Sequence, residues 1–154
     1  MPRSLERSRK RGASRYRYSI DEAFERVITQ CSRVPRPGQN GTWITPELGS
    51  AYLELHRLGI AHSVEVWAGE ALVGGVYGVS ANGCFAGESM FHRENDTSKL
   101  ALLHLVDHLR TRGLEWMDIQ MLTPHMEALG AREIPKREFL TKLEATQARG
   151  LRLF

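Results

Sequence analysis

The sequence has no hydrophobic run long enough to cross a membrane, and its basic start does not read as a secretory signal. A membrane-spanning helix needs about 20 consecutive apolar residues, and no apolar run here approaches that length. A secretory signal requires an apolar segment behind its basic residues, and none follows residues 1–18. The sequence therefore argues against integral membrane proteins and exported proteins.

Cysteine is also scarce. The chain contains only Cys31 and Cys84, and their spacing matches neither a disulfide framework nor a metal site. Disulfide-stapled proteins and cysteine-based zinc proteins are therefore excluded as classes. A reducing compartment, the cytoplasm, is the expected location.

The sequence also lacks the signatures of covalent and metal-dependent catalysis. No Ser, Cys or Thr stands in a recognisable nucleophile motif. His104 and His108 are four residues apart in a predicted helix, a spacing that can hold a metal ion. They share the face opposite the leucines with Asp107 and Arg110, and no third ligand is evident. We therefore expect a solvated helix face here and no metal.

Charge is distributed unevenly along the chain. The 154 residues carry a formal net charge of +3, but residues 1–18 contain seven Lys or Arg and one Glu. The length suits one domain with its own core. The sequence therefore predicts a basic arm, residues 1–18, attached to a mildly acidic domain, residues 19–154. Such an arm suits a polyanion such as RNA; the alternative is a solvated, partly disordered tail.

Hydrophobic periodicity and turn residues predict a sheet flanked by helices. A capping box at Ser19 and Glu22 and the pair Thr45–Pro46 mark two helix starts. The predicted elements are helices at 19–31, 45–59, 97–113, 124–130 and 135–148, and strands at 62–70, 71–79, 83–91 and 115–122. Because a helical crossover usually joins parallel strands, the predicted fold class is α/β (α+β) with a mixed sheet.

Two acids and an amide occupy predicted strands. Side chains alternate along a strand, so Asp118 and Gln120 are expected to share a face. Glu88 lies between apolar residues, where an unpaired carboxylate is costly. A structural ion pair explains one such acid, whereas two acids with an amide favour a functional site. The glycines of "VGGVYG" either permit close approach of a ligand or backbone or mark a bulge.

Seven segments in order carry a family resemblance: "GTWITPE", "LHRLGIAHSVEVW", "LVGGVYGV", "GESMF", "DTSKLALLHLVDHLRTRG", "DIQMLTPH" and "LGAREIPKREFL". Together they resemble the leucyl/phenylalanyl-tRNA–protein transferase family. The resemblance implies an acetyltransferase-like (GNAT-like) catalytic domain. It also implies an enzyme that moves Leu, Phe or Met from aminoacyl-tRNA to proteins beginning with Arg or Lys, which marks them for degradation in bacteria.

We expect no cofactor, because the coenzyme A cradle of acetyltransferases is missing. Acetyltransferases hold the pyrophosphate of coenzyme A on a glycine-bearing turn before the crossover helix. The corresponding turn here is "HRENDTSK", which contains no glycine. Members of the transferase family also carry an N-terminal domain ahead of "RSLERSRKRG", the segment with which this sequence begins.

The resemblance assigns chemical roles to three polar residues. Asp118 and Gln120 are the implied catalytic pair, in which Asp118 binds the Gln120 amide nitrogen and polarises the amide. The Gln120 oxygen then accepts a hydrogen bond from the attacking amine. Glu88 is the implied partner of the cationic first residue of the acceptor protein.

The resemblance also implies where the donor binds. It implies that Trp43 packs on the terminal adenosine of tRNA. It also implies that the tRNA phosphates bind Arg7, Arg9, Lys10 and the residue at position 12. Position 12 carries Gly12 and so adds no cation. The implied side-chain pocket, which can equally be plain core, consists of Val76, Phe85, Met90, Leu102, Leu105 and Met117.

Two other functions remain open at this point. One is a catalytically impaired module that binds tRNA or a degron. The other is an aminoacyl-tRNA-dependent transferase whose acceptor is a small amine. Binding without turnover distinguishes the first, and turnover with a free small amine distinguishes the second.

Overall fold

The structure is a computed structural model that describes residues 3–34 and 43–154. Its elements in chain order are α1 (Arg3–Arg15), β1 (Arg17–Ile20), α2 (Phe24–Ser32), α3 (Pro46–Arg57), β2 (Ala61–Ala68), β3 (Ala71–Ala81), β4 (Cys84–His92), α4 (Thr97–Thr111), α5 (Pro124–Ala128) and α6 (Lys136–Gln147). Within these residues no helix is both long and apolar enough to span a membrane. Cys31 and Cys84 are both buried, and no disulfide joins them.

The four strands form one antiparallel sheet in the order β1-β2-β3-β4. The meander of β2, β3 and β4 confirms the three strands predicted from alternation and turn signals. The helix–sheet class is therefore confirmed. The predicted mixed pairing survives only as one isolated parallel bridge, between Ala86 and Asp118.

Strand β1 was not predicted, and the capping box assigned to its residues is wrong. Ser19 pairs opposite Glu65 in β2, and its hydroxyl donates to the Glu65 carboxylate at 2.6 Å. The following helix begins only at Phe24, and its N-cap residue Ala23 supplies no side-chain cap. Glu65 instead accepts from the backbone nitrogens of Glu22 and Ala23, each at 3.4 Å. A carboxylate from the neighbouring strand thus satisfies donors that Ser19 was expected to cap.

Both faces of the sheet are covered, so there are two cores. Helix α4 and the C-terminal residues cover one face, with a core of Val64, Val66, Val73, Val76, Phe85, Ala101, Leu102, Leu105, Leu109, Leu114 and Leu153. Helices α2 and α3 cover the other, with a core of Phe24, Val27, Ile28, Cys31, Ile44, Ala61, Trp67, Leu72, Tyr77 and Phe91. The spacing predicts a buried stripe of Leu102, Leu105, Val106 and Leu109 on α4; the three leucines are buried and Val106 is half-buried.

The described part of the basic arm is a helix rather than a disordered tail. Ser8 on α1 donates to Asp96 at 2.7 Å, and Arg15 pairs with Glu94 at 2.6 Å. Gly12 is buried, and a Cβ there would lie 3.0 Å from Leu100. Helix α1 therefore packs on the start of α4, while β1 runs across the predicted arm boundary at residue 18. Residues 1 and 2 of the arm lie outside the described residues.

Candidate functional site

The segment after α4 is held between α6 and β4. Leu114 is buried in the α4-side core. The Trp116 indole nitrogen donates to the Thr146 hydroxyl at 2.9 Å, and its ring packs edge-on against Phe139, with centroids 6.0 Å apart. These contacts fix the backbone immediately before Asp118.

Asp118 joins this segment to β4 through its backbone. Its nitrogen donates to the Phe85 oxygen at 3.0 Å, and its oxygen accepts from the Gly87 nitrogen at 2.8 Å. A Cβ at Gly87 would lie 2.9 Å from the terminal methyl group of the flexible Met117 side chain and 3.7 Å from the Asp118 oxygen, so a larger residue there would need only a shift of Met117. The predicted strand at 115–122 is otherwise wrong, because this bridge is its only ladder pairing among the described residues.

A tight turn follows Asp118 and replaces the expected strand alternation. The Gln120 nitrogen donates to Asp118 Oδ1 at 2.8 Å, and the Met121 nitrogen donates to the Ile119 oxygen at 2.7 Å. Gln120 has φ = 64°, in the left-handed region. A non-glycine residue there costs about 1–3 kcal/mol and marks functional sites more often than ordinary loops.

The turn changes how Asp118 and Gln120 are related. The hydrogen bond that joins them runs from the Gln120 backbone nitrogen to the carboxylate, whereas the family resemblance implied the side-chain amide. The Gln120 side chain is exposed, and the neighbouring Met121 is 75% exposed. Asp118 therefore shapes the backbone that presents Gln120 to solvent.

Glu88 lies at a β-bulge on β4. Tyr77 pairs with Ser89 and Gly78 pairs with Gly87, so Glu88 has no cross-strand partner. A Cβ at Gly78 would lie 2.2 Å from the Ala86 oxygen, so this glycine serves both close approach and a bulge. Bulges are frequent beside functional sites, where they redirect a side chain.

The Glu88 carboxylate lies near Tyr52 and has no cation partner among the described residues. Tyr52 lies on α3; burial first, and then the nearby Glu88 charge, raises the pKa of Tyr52 to about 12. Within residues 3–34 and 43–154, neither Glu88 nor Asp118 forms an ion pair. The structural ion pair considered from the sequence therefore does not account for these acids.

The six implied pocket residues lie on the α4 side of the sheet. Val76, Phe85, Leu102 and Leu105 belong to its core, and Met90 and Met117 pack against that core while partly exposed. Leu102 and Met117 also line a cavity of about 360 Å³. Its other apolar walls come from α4, α5 and the segments beside them: Val106, Leu109, Leu114, Ile119, Met126, Leu129 and Ile134. Four of the six residues are thus core, and two of the six, Leu102 and Met117, line the cavity.

Trp43 lies on the opposite side, at the α2–α3 core. Its ring packs edge-on against Tyr52, with centroids 6.4 Å apart. Tyr52 therefore contacts Trp43, and the charge of Glu88 acts on its hydroxyl. The sequence analysis missed Tyr52; its signal was the spacing Leu48, Tyr52, Leu55 along one face of the predicted helix.

The exposed cations of α1 differ in whether they form an ion pair. Arg7, Arg9 and Lys10 are all exposed, and Arg9 pairs with Asp107 of α4. Arg7 and Lys10, three residues apart, lie on one side of the helix and form no ion pair within the described residues. Gly12 is a packing position.

The paired histidines of α4 are half-buried, so the expected solvated face is wrong. His104 stacks on Tyr18 with centroids 4.9 Å apart, and His108 Nε2 lies 2.7 Å from the Leu153 oxygen. Burial lowers the pKa of His104. Across the described ranges, no group of three His, Cys, Asp or Glu side chains is arranged to hold a metal ion.

Comparison with known proteins decides the family. The family model described as leucyl/phenylalanyl-tRNA protein transferase matches residues 1–144. The chain belongs to this family. A leucyl/phenylalanyl-tRNA–protein transferase of Anaeromyxobacter sp. strain K is 56% identical over 143 residues, which is 93% of this chain and 60% of that protein.

More distant relatives carry the same name. A leucyl/phenylalanyl-tRNA–protein transferase of Myxococcus xanthus is 49% identical over 141 residues, and one of Shewanella sp. strain W3-18-1 is 48% identical over 128. They cover 92% and 83% of this chain, which in turn covers 59% and 54% of them. The chain thus spans a little over half the length of these relatives.

Proposed function

We propose that this chain is the catalytic part of an aminoacyltransferase. It moves Leu, Phe or Met from aminoacyl-tRNA to the N-terminus of proteins that begin with Arg or Lys, as a step towards their degradation. Family membership over residues 1–144 supports the donor and the reaction. The observation that carries the site is the turn in which Asp118 holds Gln120 in an exposed, left-handed conformation.

The reaction needs alignment more than a strong base. The acceptor's α-amino nitrogen attacks the ester carbonyl carbon; a C–N bond forms, the ester C–O bond breaks, and the tRNA ribose hydroxyl leaves with a proton. The ester is already activated, and an α-amino group with a pKa near 8 is partly neutral at pH 7. Holding both reactants in line supplies about 7–11 kcal/mol.

In this scheme Gln120 contacts the reacting amine and Asp118 acts through Gln120. The exposed Gln120 carboxamide oxygen accepts a hydrogen bond from the amine and directs its lone pair at the ester. Asp118 is a positioning residue, because its carboxylate accepts the Gln120 backbone nitrogen and fixes the turn. The carboxylate need not polarise the side-chain amide for this role.

The other site residues bind the two substrates. Glu88, unpaired by any cation of the described residues, attracts the Arg or Lys side chain of the acceptor. Trp43 stacks on the terminal adenosine, a contact typically worth about 1–3 kcal/mol. The partly exposed Met90 and Met117 form adaptable walls for Leu, Phe or Met. In the arm, residues 1–18, Arg7 and Lys10 bind phosphates without reading sequence.

Transfer of labelled Leu from leucyl-tRNA to an Arg-initiated peptide tests the proposal. We expect transfer by the full chain, and much less with an Ala-initiated peptide. Binding of leucyl-tRNA and peptide without any transfer would identify an impaired binding module instead. Transfer to a free small amine at the same rate would assign a different acceptor.

Asp118→Asn tests how the catalytic pair works. An asparagine oxygen still accepts the Gln120 nitrogen, so positioning predicts transfer within a few fold of the parent. The hypothesis that the charge polarises the amide predicts a large loss. Asp118→Ala removes the hydrogen-bond acceptor of the Gln120 nitrogen and should abolish most transfer under both hypotheses. Gln120→Ala should reduce transfer at least as much. A single-turnover assay at saturating leucyl-tRNA reports the chemical step, with melting temperature as the folding control.

A further inference from the structure

Helix α1 is held against the start of α4 by polar bridges. The Ser8 hydroxyl donates to the Asp96 carboxylate at 2.7 Å. Glu94 accepts at one oxygen from both the Arg15 guanidinium and the Tyr16 hydroxyl, each at 2.6 Å. Glu94 therefore receives one donor from the last turn of α1 and another from the residue that follows the helix.

Polar bridges rather than core packing hold the described side chains of α1. Neither hydrophobic core includes a side chain from the described part of this helix, and a cavity of about 560 Å³ lies between α1 and the turn that precedes α4. Arg9 adds a further bridge, to Asp107. Because an exposed ion pair contributes only about 0–1 kcal/mol, the docking of α1 is weak, and Glu94, with two donors, supplies a large share of it.

Glu94 is anchored to the sheet through Thr97. The Thr97 side chain is buried, and its hydroxyl lies 2.8 Å from the Glu94 backbone oxygen and 2.7 Å from the Val73 oxygen on β3. A Cβ at Gly74 would lie 2.6 Å from the Thr97 Cβ and 2.8 Å from its carbonyl carbon, so glycine permits this approach. The sheet therefore sets the position of Glu94, and through it the position of α1.

The docked side of α1 differs from the side that carries its exposed cations. Ser8, Gly12 and Arg15 recur at i, i+4 and i+7, and all three contact the start of α4 or the turn before it. Arg7 and Lys10 are exposed, and at about 100° per residue they lie on another side of the helix. A docked α1 therefore presents both cations in a fixed direction.

We propose that Glu94 is a positioning residue for tRNA binding, which docks α1 so that Arg7 and Lys10 face the tRNA phosphates together. The inference rests on the proposed function, which assigns these two cations to phosphates. Binding costs less free energy when the binding groups are already ordered. In this way an acid strengthens the binding of a polyanion, against the sign of its own charge.

Glu94→Ala tests the inference by the direction of its effect. Charge alone predicts tighter binding of leucyl-tRNA, because an acid close to the polyanion has been removed. Positioning predicts binding about fivefold weaker, since α1 must then be ordered on binding. Fluorescence anisotropy on the full chain, without acceptor peptide, measures the affinity.

Two further variants provide a charge-neutral test and a matched control. Tyr16→Phe removes one donor to Glu94 without changing the charge, so leucyl-tRNA should bind about threefold more weakly. Glu138→Ala removes an acid that pairs with Arg132 at 3.4 Å, a bridge that does not involve α1. Its affinity for leucyl-tRNA should be unchanged or slightly higher.

A double-mutant cycle shows whether Glu94 acts through the cations of α1. In the parent chain, replacing Arg7 and Lys10 with alanine should weaken leucyl-tRNA binding and reduce the log–log salt slope by about 1.5. In the Glu94→Ala background the same replacement should weaken binding by a clearly smaller factor, because residues that act as one unit are non-additive.

The outcomes separate the inference from the proposed function. Unchanged or tighter binding by Glu94→Ala would overturn the inference, and so would equal losses with Glu94→Ala and Glu138→Ala. If Glu94→Ala does not fold, as judged by its melting temperature, parent affinity of Tyr16→Phe would overturn the inference instead. If replacing Arg7 and Lys10 changes neither affinity nor salt slope in the parent, the proposed role of the arm fails, and the inference fails with it.

Discussion

Two strand carboxylates, Glu65 on β2 and Glu88 on β4, have similar sequence contexts and opposite surroundings. Glu65 is 0% exposed and accepts from the hydroxyls of Ser19 and Ser63 and from two backbone nitrogens. Glu88 is half-buried at a bulge, and no comparable set of donors surrounds it within residues 3–34 and 43–154. The sequence analysis singled out Glu88 and passed over Glu65, because an acid in an apolar strand does not reveal its donors.

The comparison shows what separates an acid that stabilises the fold from an acid that is available to bind a cation. Buried carboxylates are tolerated when donors surround them, and those of Glu65 join β1, β2 and the start of α2. Glu88 is only partly buried and forms no ion pair with the described residues. We therefore expect Glu65 to govern stability and Glu88 to govern binding, and the following substitutions test that division in order of expected loss of stability.

Glu65→Leu should cause the largest loss, about 3 kcal/mol or more in the free energy of unfolding. It leaves two hydroxyls and two backbone nitrogens buried without their acceptor, and each orphaned group costs about 1–3 kcal/mol. Urea denaturation measures the loss. Glu65→Gln retains one acceptor oxygen and should lose less. A loss no greater than that of Glu88→Leu would remove the distinction between the two acids.

Gly78→Ala should lower the free energy of unfolding by about 2–3 kcal/mol, because overpacking forces the backbone to move. The added methyl group would lie 2.2 Å from the Ala86 oxygen, opposite the bulge that presents Glu88. Gly49→Ala is the control. Gly49 lies in α3 with nothing within 4 Å of an added Cβ, so alanine there should stabilise by about 0.5–1 kcal/mol. Similar effects at both positions would contradict the requirement for glycine at the bulge.

Ser19→Ala should cost about 1–2 kcal/mol. The Ser19 hydroxyl donates to Glu65 and accepts from the Trp67 indole nitrogen at 2.8 Å. Ser50→Ala removes an exposed hydroxyl that bonds only within its own helix and should change thermal stability little. If both variants melt at the parent temperature, Ser19 is not part of the network that holds Glu65.

Glu88→Gln should change stability least, within about 0.5 kcal/mol, as expected for a half-exposed position. Its effect should fall on recognition, with a marked loss of preference for an Arg-initiated over an Ala-initiated peptide in the transfer assay. Chemical denaturation and peptide competition on one preparation compare both readouts. A large loss of stability with unchanged preference would make Glu88 a second structural acid.

Local pattern predicted much of the fold. Alternation and hairpin turns located β2, β3 and β4, and the leucine spacing located α4, because these signals depend on neighbouring residues. Strand β1 was missed because it contains only four residues and is defined by pairing with β2. The cap of α2 was misassigned because the acceptor is Glu65, distant in sequence.

The sequence by itself determined the family, the helix–sheet class and the list of candidate site residues. Only the tertiary structure decided how those residues are arranged: that Asp118 holds the Gln120 backbone, that Glu88 lies at a bulge, and that Trp43 packs in a different core from the six implied pocket residues. The physical reason is that motifs record residue types and spacing along the chain. Hydrogen-bond partners, bulges and left-handed turns arise from contacts between segments that only folding brings together.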